Sequence, residues 1–149
     1  MEKIVVMFRT FSLCLLLVLI ISSCSMEPRP VNYGEEACQY CKMTIVDEQH
    51  AAQVVTDKGK IFSFDAIECM VYYVDDHAET EFAHLVVCDF DNPGNWLKVE
   101  AASFLISPGL PSPMGADLNA FSSEARALEM QSSHEGQTFD WEGLFNHLN

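Results

Sequence analysis

The residue types with the clearest metal chemistry stand together in one short run, Cys38-Gln39-Tyr40-Cys41-Lys42-Met43. Thiolate and thioether sulfurs are soft donors, and their combination favours Cu(I) over hard cations and over zinc. Two or three such donors satisfy Cu(I), so the site need not enclose the ion. A further soft donor is available at Met114, in a segment rich in proline and glycine. A methionine in such a loop is not expected to fill the core, and the alternative to a ligand is a side chain that covers the core.

Three other interpretations of the pair Cys38 and Cys41 stay open on these residues alone. A structural zinc site needs four ligands, commonly two such pairs, and the sequence has no second Cys-x-x-Cys pair. A redox-active dithiol of the thioredoxin type should open a helix after a strand, whereas this pair leads into a β-prone stretch. The third interpretation is a plain structural disulfide.

The remaining candidate residues are weaker. His50 lies on the approach to the first predicted strand and is either a Cu(II) ligand or a solvated turn residue, with the turn favoured. Cys69 and Cys88 are expected to be buried free thiols or to form a disulfide with each other.

The N-terminal residues predict export and a lipid anchor. Lys3 and Arg9 precede an apolar run at 11–21, which is about half of the roughly 20 residues that a membrane-spanning helix needs. That length is typical of the apolar region of a signal peptide. The run ends in Ile21-Ser22-Ser23-Cys24, which resembles a bacterial lipobox with Cys24 as the lipidated residue. The protein is therefore expected to be a lipoprotein outside the cytoplasm, in the periplasm.

The predicted processing divides the chain into a signal peptide at 1–23, a flexible tether at 24–37 and a folded domain at 38–149. Ser25 is not the aspartate that retains lipoproteins in the inner membrane of enteric bacteria, so the outer membrane is the expected location. Without residues 1–23 the chain keeps 6 of its 8 basic and 21 of its 22 acidic side chains, a formal charge of −15. Such a surface repels nucleic acid and excludes it as a main partner.

The predicted order strand, strand, helix, strand occurs twice, and paired alanines open the first strand of each copy. This repeat predicts an α+β fold of two small homologous ββαβ units, at 38–97 and 98–149. Asp65 fits the N-cap of a helix with Glu68 three residues later, and Asp140 fits the N-cap of a terminal helix. The other predicted elements are strands at 51–56, 61–64, 82–88, 101–106, 117–121 and 137–139, a hairpin turn at 57–60, a turn at 89–95, and helices at 67–74, 123–131 and 141–148.

Taken in order, these features resemble the NosL family of copper chaperones for nitrous oxide reductase. The resembling features are the lipobox, Cys41-x-Met43-x-Ile45, Ala52-x-Val54-Val55, Phe64-Asp65 leading to Cys69-Met70, and Ser112-Pro113-Met114-Gly115 followed by Phe121. The resemblance implies two homologous ββαβ units and a Cu(I) ion held by Cys41, Met43 and Met114. Cys38 is a possible further donor or a disulfide partner of Cys41.

The resemblance also implies a function. Copper would pass to the copper centre of nitrous oxide reductase, directly or through a membrane transporter that serves its maturation. No nucleophile with a paired base is evident, so the protein is not expected to be an enzyme. The leading alternative is a membrane-anchored thiol–disulfide protein that uses Cys38 and Cys41. A second alternative, carbon–mercury bond cleavage, has only an analogy of fold behind it.

Overall fold

The computed structural model describes residues 26–149. The predicted signal peptide at 1–23 and the predicted lipidation site Cys24 lie outside the described residues, and both stay predictions. Within 26–149, none of the helices is both long enough and apolar enough to cross a membrane.

The first half of the domain is a four-stranded antiparallel sheet with one helix. Its elements are β1 (Ala52–Thr56), β2 (Ile61–Phe64), α1 (Ile67–Asp76), β3 (Phe82–Asp89) and β4 (Asn92–Lys98). The strand order is β2-β1-β3-β4. The predicted turn between β1 and β2 is confirmed, with Gly59 at a φ of 76°, a conformation that glycine adopts without steric cost.

The second half repeats this arrangement on a smaller scale. Its elements are β5 (Ser103–Ile106), β6 (Leu118–Phe121), α2 (Glu124–His134), β7 (Gln137–Phe139) and α3 (Trp141–Leu148). The strand order β6-β5-β7 matches the β2-β1-β3 part of the first sheet, since the first strand of each half is flanked by its second and third. The α+β class is confirmed, and the descent of the two halves from a duplication stays a prediction.

The two halves share one hydrophobic core. Ile67, Met70 and Val71 are completely buried, as expected for one face of an amphipathic α1. A single cluster of buried side chains joins residues of both sheets, among them Val54, Phe64, Met70, Phe104, Leu118 and Leu144. The halves therefore stabilise each other, because neither sheet covers its apolar face alone.

The predicted tether ends earlier than expected. The guanidinium of Arg29 makes a two-point ion pair with Glu36 at 2.6 and 2.9 Å, and its backbone N–H donates to the side chain of Gln53. Val31 is buried, and Ala37 forms a β-bridge with Thr44. The chain is thus fixed to the domain from Arg29 onward, although its two prolines and lack of periodicity predicted a coil as far as residue 37.

Two further local predictions are wrong. The predicted turn at 89–95 is confined to residues 90–91, and Pro93 and Gly94 lie within β4. A proline is tolerated there because β4 is an edge strand, where a missing N–H need not break the ladder. Asp65 does not cap α1. The N-cap residue of that helix is Ala66, so no side-chain hydrogen bond caps its first turn. By contrast, Asp140 caps α3 as predicted, accepting from the N–H of Gly143 at 2.8 Å.

Candidate metal centre

Four potential ligand atoms meet where β2 ends and α1 begins. The sulfurs of Cys38, Cys41 and Cys69 and a carboxylate oxygen of Asp65 all lie within 4.8 Å of one another. The thiol of Cys41 donates to Asp65 at 3.3 Å. We call these four residues the thiol cluster.

A tight turn supplies Cys38 and Cys41. The N–H of Cys38 donates to the carbonyl of Met43 at 2.7 Å, and the N–H of Lys42 donates to the carbonyl of Cys38 at 3.1 Å. Lys42 has a φ of 67°, a left-handed conformation that turns the chain back on itself. The N–H of Gln39 donates to the carbonyl of Ser63 at 2.9 Å, which fixes the turn to β2.

The other two members come from the next segment of the chain. Asp65 lies in the short connection between β2 and α1, and Cys69 lies on the first turn of α1. Cys38, Asp65 and Cys69 are buried, with 0%, 2% and 1% of their surface exposed, whereas Cys41 is partly exposed. A ligand or partner would therefore meet Cys41 first.

Hydrogen bonding and burial shift the pKa values of the three cysteines of the thiol cluster in different directions. The thiol of Cys69 donates a hydrogen bond to Cys38, which lowers the pKa of Cys38 to about 6 against the opposing effect of burial. The same hydrogen bond, together with burial, raises the pKa of Cys69 well above its usual value. Burial is also the main reason that the pKa of Cys41 is raised to about 11.

None of these cysteines is in a disulfide. Cys38, Cys41, Cys69 and Cys88 are all free thiols in the structure, so the predicted alternatives of a Cys38–Cys41 or a Cys69–Cys88 bridge are not formed. Cys88 is buried outside the thiol cluster, and its sulfur accepts from the N–H of Gly94 at 3.0 Å. Cys69 is a buried free thiol, one of the two predicted outcomes, and the structure also places it among potential ligands.

The predicted thioether donors are exposed. Met43 lies on the same turn as Cys41 and has 50% of its surface exposed, and Met114 has 41%. The loop that carries Met114 is fixed to α1 by Glu68, the neighbour of Cys69. One carboxylate oxygen of Glu68 accepts from the hydroxyl of Ser112 at 2.6 Å and from the N–H of Ala116 at 3.3 Å. Ligation by these two methionines stays a prediction.

His50 is not a solvated turn residue. Its side chain is buried, with Nδ1 at 2.9 Å from Asp47 and Nε2 at 3.0 Å from the side-chain oxygen of Asn119. Because both ring nitrogens face oxygen partners, His50 would have to break a buried hydrogen bond to ligate a metal. His50 is therefore a buried residue that joins the segment before β1 to Asn119 on β6.

Sequence reasoning missed Asp65 and Cys69 as members of the site. Their spacing of four residues was the available signal, because residues four apart near the start of a helix point to the same side. The same spacing also fitted an N-cap followed by a core residue. The choice between these interpretations depended on where the Cys38–Cys41 turn lies, which no local pattern reveals.

The fold and the site together define a class of protein: a small α+β domain with a thiol-rich, partly accessible cluster suited to a soft metal ion. The family model described as NosL matches residues 31–147, and the chain belongs to the NosL family. The predicted family is thereby confirmed.

Comparison with solved structures supports the fold. The chain is similar to the crystal structure of the copper chaperone NosL from Shewanella denitrificans, with a TM-score of 0.69 and 16% sequence identity. The similarity covers 78% of this chain and 94% of that chain. At this identity it shows a shared fold. Comparison of the sequence with curated proteins gives no match.

Proposed function

We propose that this protein binds Cu(I) outside the cytoplasm and delivers it for assembly of the copper centre of nitrous oxide reductase. The observation that carries the proposal is the thiol cluster, three unpaired cysteine sulfurs within 4.8 Å of one another, in a chain of the NosL family. A protein of similar fold is described as a copper chaperone. Copper is here the cargo, and no catalysis is proposed.

The chemistry of the donors fits a cargo that must also leave. Soft sulfur donors favour Cu(I), which accepts two or three of them. Cys41 is the accessible thiol, with Cys38 and Cys69 buried behind it. The exposed thioethers of Met43 and Met114 supply outer donors, so an acceptor's ligand can enter before the last donor of this chain leaves. Binding releases thiol protons to water as copper–sulfur bonds form.

The lipid anchor sets where delivery takes place. Lipidation of Cys24 would hold the chain to a membrane, expected to be the outer membrane. Because the chain is fixed to the domain from Arg29, at most residues 24–28 can serve as the tether. Five extended residues span at most about 18 Å. Such a short tether supports transfer at the membrane surface, to the reductase or to a transporter of its maturation machinery, more than transfer by a diffusing carrier.

The geometry gives the thiol–disulfide alternative less support. An attacking cysteine should combine a lowered pKa with exposure. Here the cysteine with the lowered pKa, Cys38, is completely buried, and the accessible one, Cys41, has a raised pKa. Neither lies at the start of a helix, where the dipole would assist ionisation.

A competition titration of Cu(I) against a chromogenic chelator tests the binding. Soluble protein beginning at Ser25, kept reduced and free of other metals, should take one equivalent. We expect Cys41→Ser to lower the affinity at least tenfold, a loss of about 1.4 kcal/mol. Met43→Ile and Met114→Ile test the predicted thioethers in the same way. Cys88→Ala and Met26→Ile are matched controls, because one removes a buried thiol outside the thiol cluster and the other an exposed methionine.

Different results of this titration would contradict the proposed binding site and the proposed function. Wild-type protein that takes no Cu(I) would overturn the proposed function. Affinities of all three site variants equal to those of the controls would show that copper binds elsewhere. Delivery is measured by incubating the Cu(I)-loaded chain with copper-free nitrous oxide reductase and following the copper content of the enzyme. An enzyme that stays empty in the presence of its maturation machinery would contradict the proposed partner.

A further inference from the structure

We propose that the end of the domain formed by the β1–β2 turn faces the membrane, so that the thiol cluster points away from the bilayer. The partner of this end of the domain is the layer of lipid headgroups. The inference deepens the proposed function, because it names the side from which an acceptor can reach the copper. It rests on the predicted lipidation of Cys24, and it does not depend on the binding of copper.

The thiol cluster and the β1–β2 turn lie at opposite ends of one hairpin. The turn at 57–60 joins β1 to β2, and β2 then runs from Ile61 to Phe64 before the chain reaches Asp65 in the cluster. Four steps of extended chain separate Ile61 from Asp65, which is about 13 Å at about 3.3 Å per residue. The cluster is therefore well separated from the turn along the direction of the strands.

The N-terminal segment runs along this hairpin from the turn to the cluster. Met26 lies against the turn, because a Cβ added to Gly59 would be 3.7 Å from the Cγ of Met26. Further along, the N–H of Arg29 donates to the side chain of Gln53 on β1 at 3.1 Å. The segment then reaches the cluster at Cys38. It thus enters the domain at the turn and ends at the potential metal ligands.

The predicted anchor must therefore lie close to the turn. Cys24 precedes Met26 by two residues, so their Cα atoms are within about 8 Å of each other in any conformation of the chain. That reach is shorter than the length of about 13 Å that separates the turn from the cluster along β2. Acyl chains on Cys24 would bring the turn to the headgroups and leave the cluster on the side that faces water.

The charges beside the turn indicate that the anchor sets this orientation and that attraction to anionic lipid does not. Lys58 and Lys60 are exposed on the turn, and so is Asp57. Glu81 is exposed beside the turn, and its carbonyl accepts from the N–H of Asp57 at 3.3 Å. These four side-chain charges cancel, whereas attraction to anionic lipid needs an excess of Lys and Arg. The orientation should therefore be the same on neutral and on anionic membranes.

This orientation limits how copper can be handed over. Cys41 is the accessible thiol of the cluster, and it would lie on the side of the domain that faces water. A soluble acceptor could reach it there, as could a domain of a transporter that projects from the membrane. An acceptor whose copper entry lies in the plane of the bilayer could not.

Quenching of a fluorophore by labelled lipid headgroups tests the orientation. The full lipidated chain, reduced and free of metal, is added to preformed phosphatidylcholine vesicles that contain lipid with a nitroxide on its headgroup. One sample carries the fluorophore on Cys41, and the other carries it on Lys58→Cys in a Cys41→Ser background. Cys38, Cys69 and Cys88 are buried and should not react, and Cys41→Ser alone is the control for this.

The fluorophore at position 58 should be quenched at least about twice as strongly as the one on Cys41, because it should lie about 13 Å closer to the headgroups. Met43→Cys in the Cys41→Ser background is a second reporter at the cluster end and should behave like labelled Cys41. The ratio should not change when part of the phosphatidylcholine is replaced by phosphatidylglycerol. A glycine–serine linker of about 15 residues inserted between Ser25 and Met26 spans about 20 Å, so it should abolish the difference.

Four results would overturn the inference. The first is equal quenching at the two ends, or stronger quenching at Cys41. The second is a difference that survives insertion of the linker, since the point of attachment would then not be its cause. The third is a difference that requires phosphatidylglycerol, and the fourth is a mass spectrum that shows Cys24 without lipid.

These results are independent of the test of the proposed function. The Cu(I) titration uses soluble protein that begins at Ser25, so failure of the orientation leaves copper binding unchanged. A chain that binds no Cu(I) would overturn the proposed function, and the same chain could still show the expected difference in quenching.

Discussion

Replacing Ser112 by alanine tests how the loop that carries Met114 is held against α1. Ser112 is 8% exposed, and its hydroxyl donates to a buried carboxylate oxygen of Glu68 at 2.6 Å. The other donor to that oxygen is the N–H of Ala116, at the longer distance of 3.3 Å. The second carboxylate oxygen of Glu68 is buried without a partner among the described residues. Ser112 therefore makes the main contact that compensates for burying this side chain.

The expected cost follows from that contact. A hydrogen bond to a charged group contributes about 1.5–3 kcal/mol, and leaving a buried acceptor without its donor costs a similar amount. We expect Ser112→Ala to lower the free energy of unfolding by about 2 kcal/mol. With a urea m-value of about 2 kcal/mol/M, the midpoint of unfolding should fall by about 1 M.

Urea unfolding followed by circular dichroism measures this shift. Ser122→Ala is the matched control, because it removes an exposed hydroxyl by the same substitution and should change stability by less than about 0.5 kcal/mol. The second comparison is Ser112→Ala in a Glu68→Gln background. A neutral amide makes a weaker hydrogen bond, so there the cost should fall to about 1 kcal/mol.

Two results would refute the reasoning. An equal midpoint for Ser112→Ala and Ser122→Ala would mean that Glu68 does not hold the loop. An equal cost in both backgrounds would mean that the charge of Glu68 is not the reason. If the loop positions Met114 for copper, Ser112→Ala should also lower the Cu(I) affinity, and it should do so less in a Met114→Ile background.

Two other perturbations have outcomes that the structure defines. Arg29 holds the pKa of Glu36 down to about 2 from 4.5, so the stabilisation should be fully present above pH 4.5 and be lost as the pH falls toward 2. The difference in urea midpoint between wild type and Glu36→Gln should shrink over that window, and a constant difference would contradict it. Gly136→Ala should destabilise by well over 2 kcal/mol, because its φ is 108° and a Cβ would lie 2.1 Å from the carbonyl oxygen of Ile106. Gly94→Ala is the control, because its φ is 90° but no atom lies within 4 Å of the added Cβ, and it should lower the free energy of unfolding by only about 1–2 kcal/mol. Thermal unfolding measures both variants. Equal losses of stability would show that the chain relieves the contact of the Gly136→Ala Cβ with Ile106.

The elements that local patterns specify were predicted well. The hairpin at 57–60, the buried face of α1 and the cap of α3 by Asp140 each depend on residues close in sequence, because turn geometry, helical periodicity and capping are short-range effects. The predictions that failed involve competition between local and distant partners. Asp65 could cap α1 or approach Cys41, and the 89–95 segment could remain a turn or pair with β3.

The sequence by itself determined the donor types and one pair of positions. Cys38 and Cys41 are three residues apart, so a tight turn brings their sulfurs together whatever the rest of the chain does, and soft donors select soft metals. Met43 was placed on the same turn for the same reason. Met114 was also available as a soft donor from the sequence, but it is separated from that turn by most of the domain, and only the family resemblance put it in the same ligand set.

The tertiary structure alone decided what surrounds that pair. The Cys38–Cys41 turn is fixed to β2 by backbone hydrogen bonds, and the packing of α1 against the sheet then brings Asp65 and Cys69 to the two thiols. In this cluster the hydrogen bond from Cys69 lowers the pKa of Cys38 against the effect of burial, whereas burial raises the pKa of Cys41. Spacing along the chain cannot show either effect, because both arise from contacts between residues more than twenty positions apart.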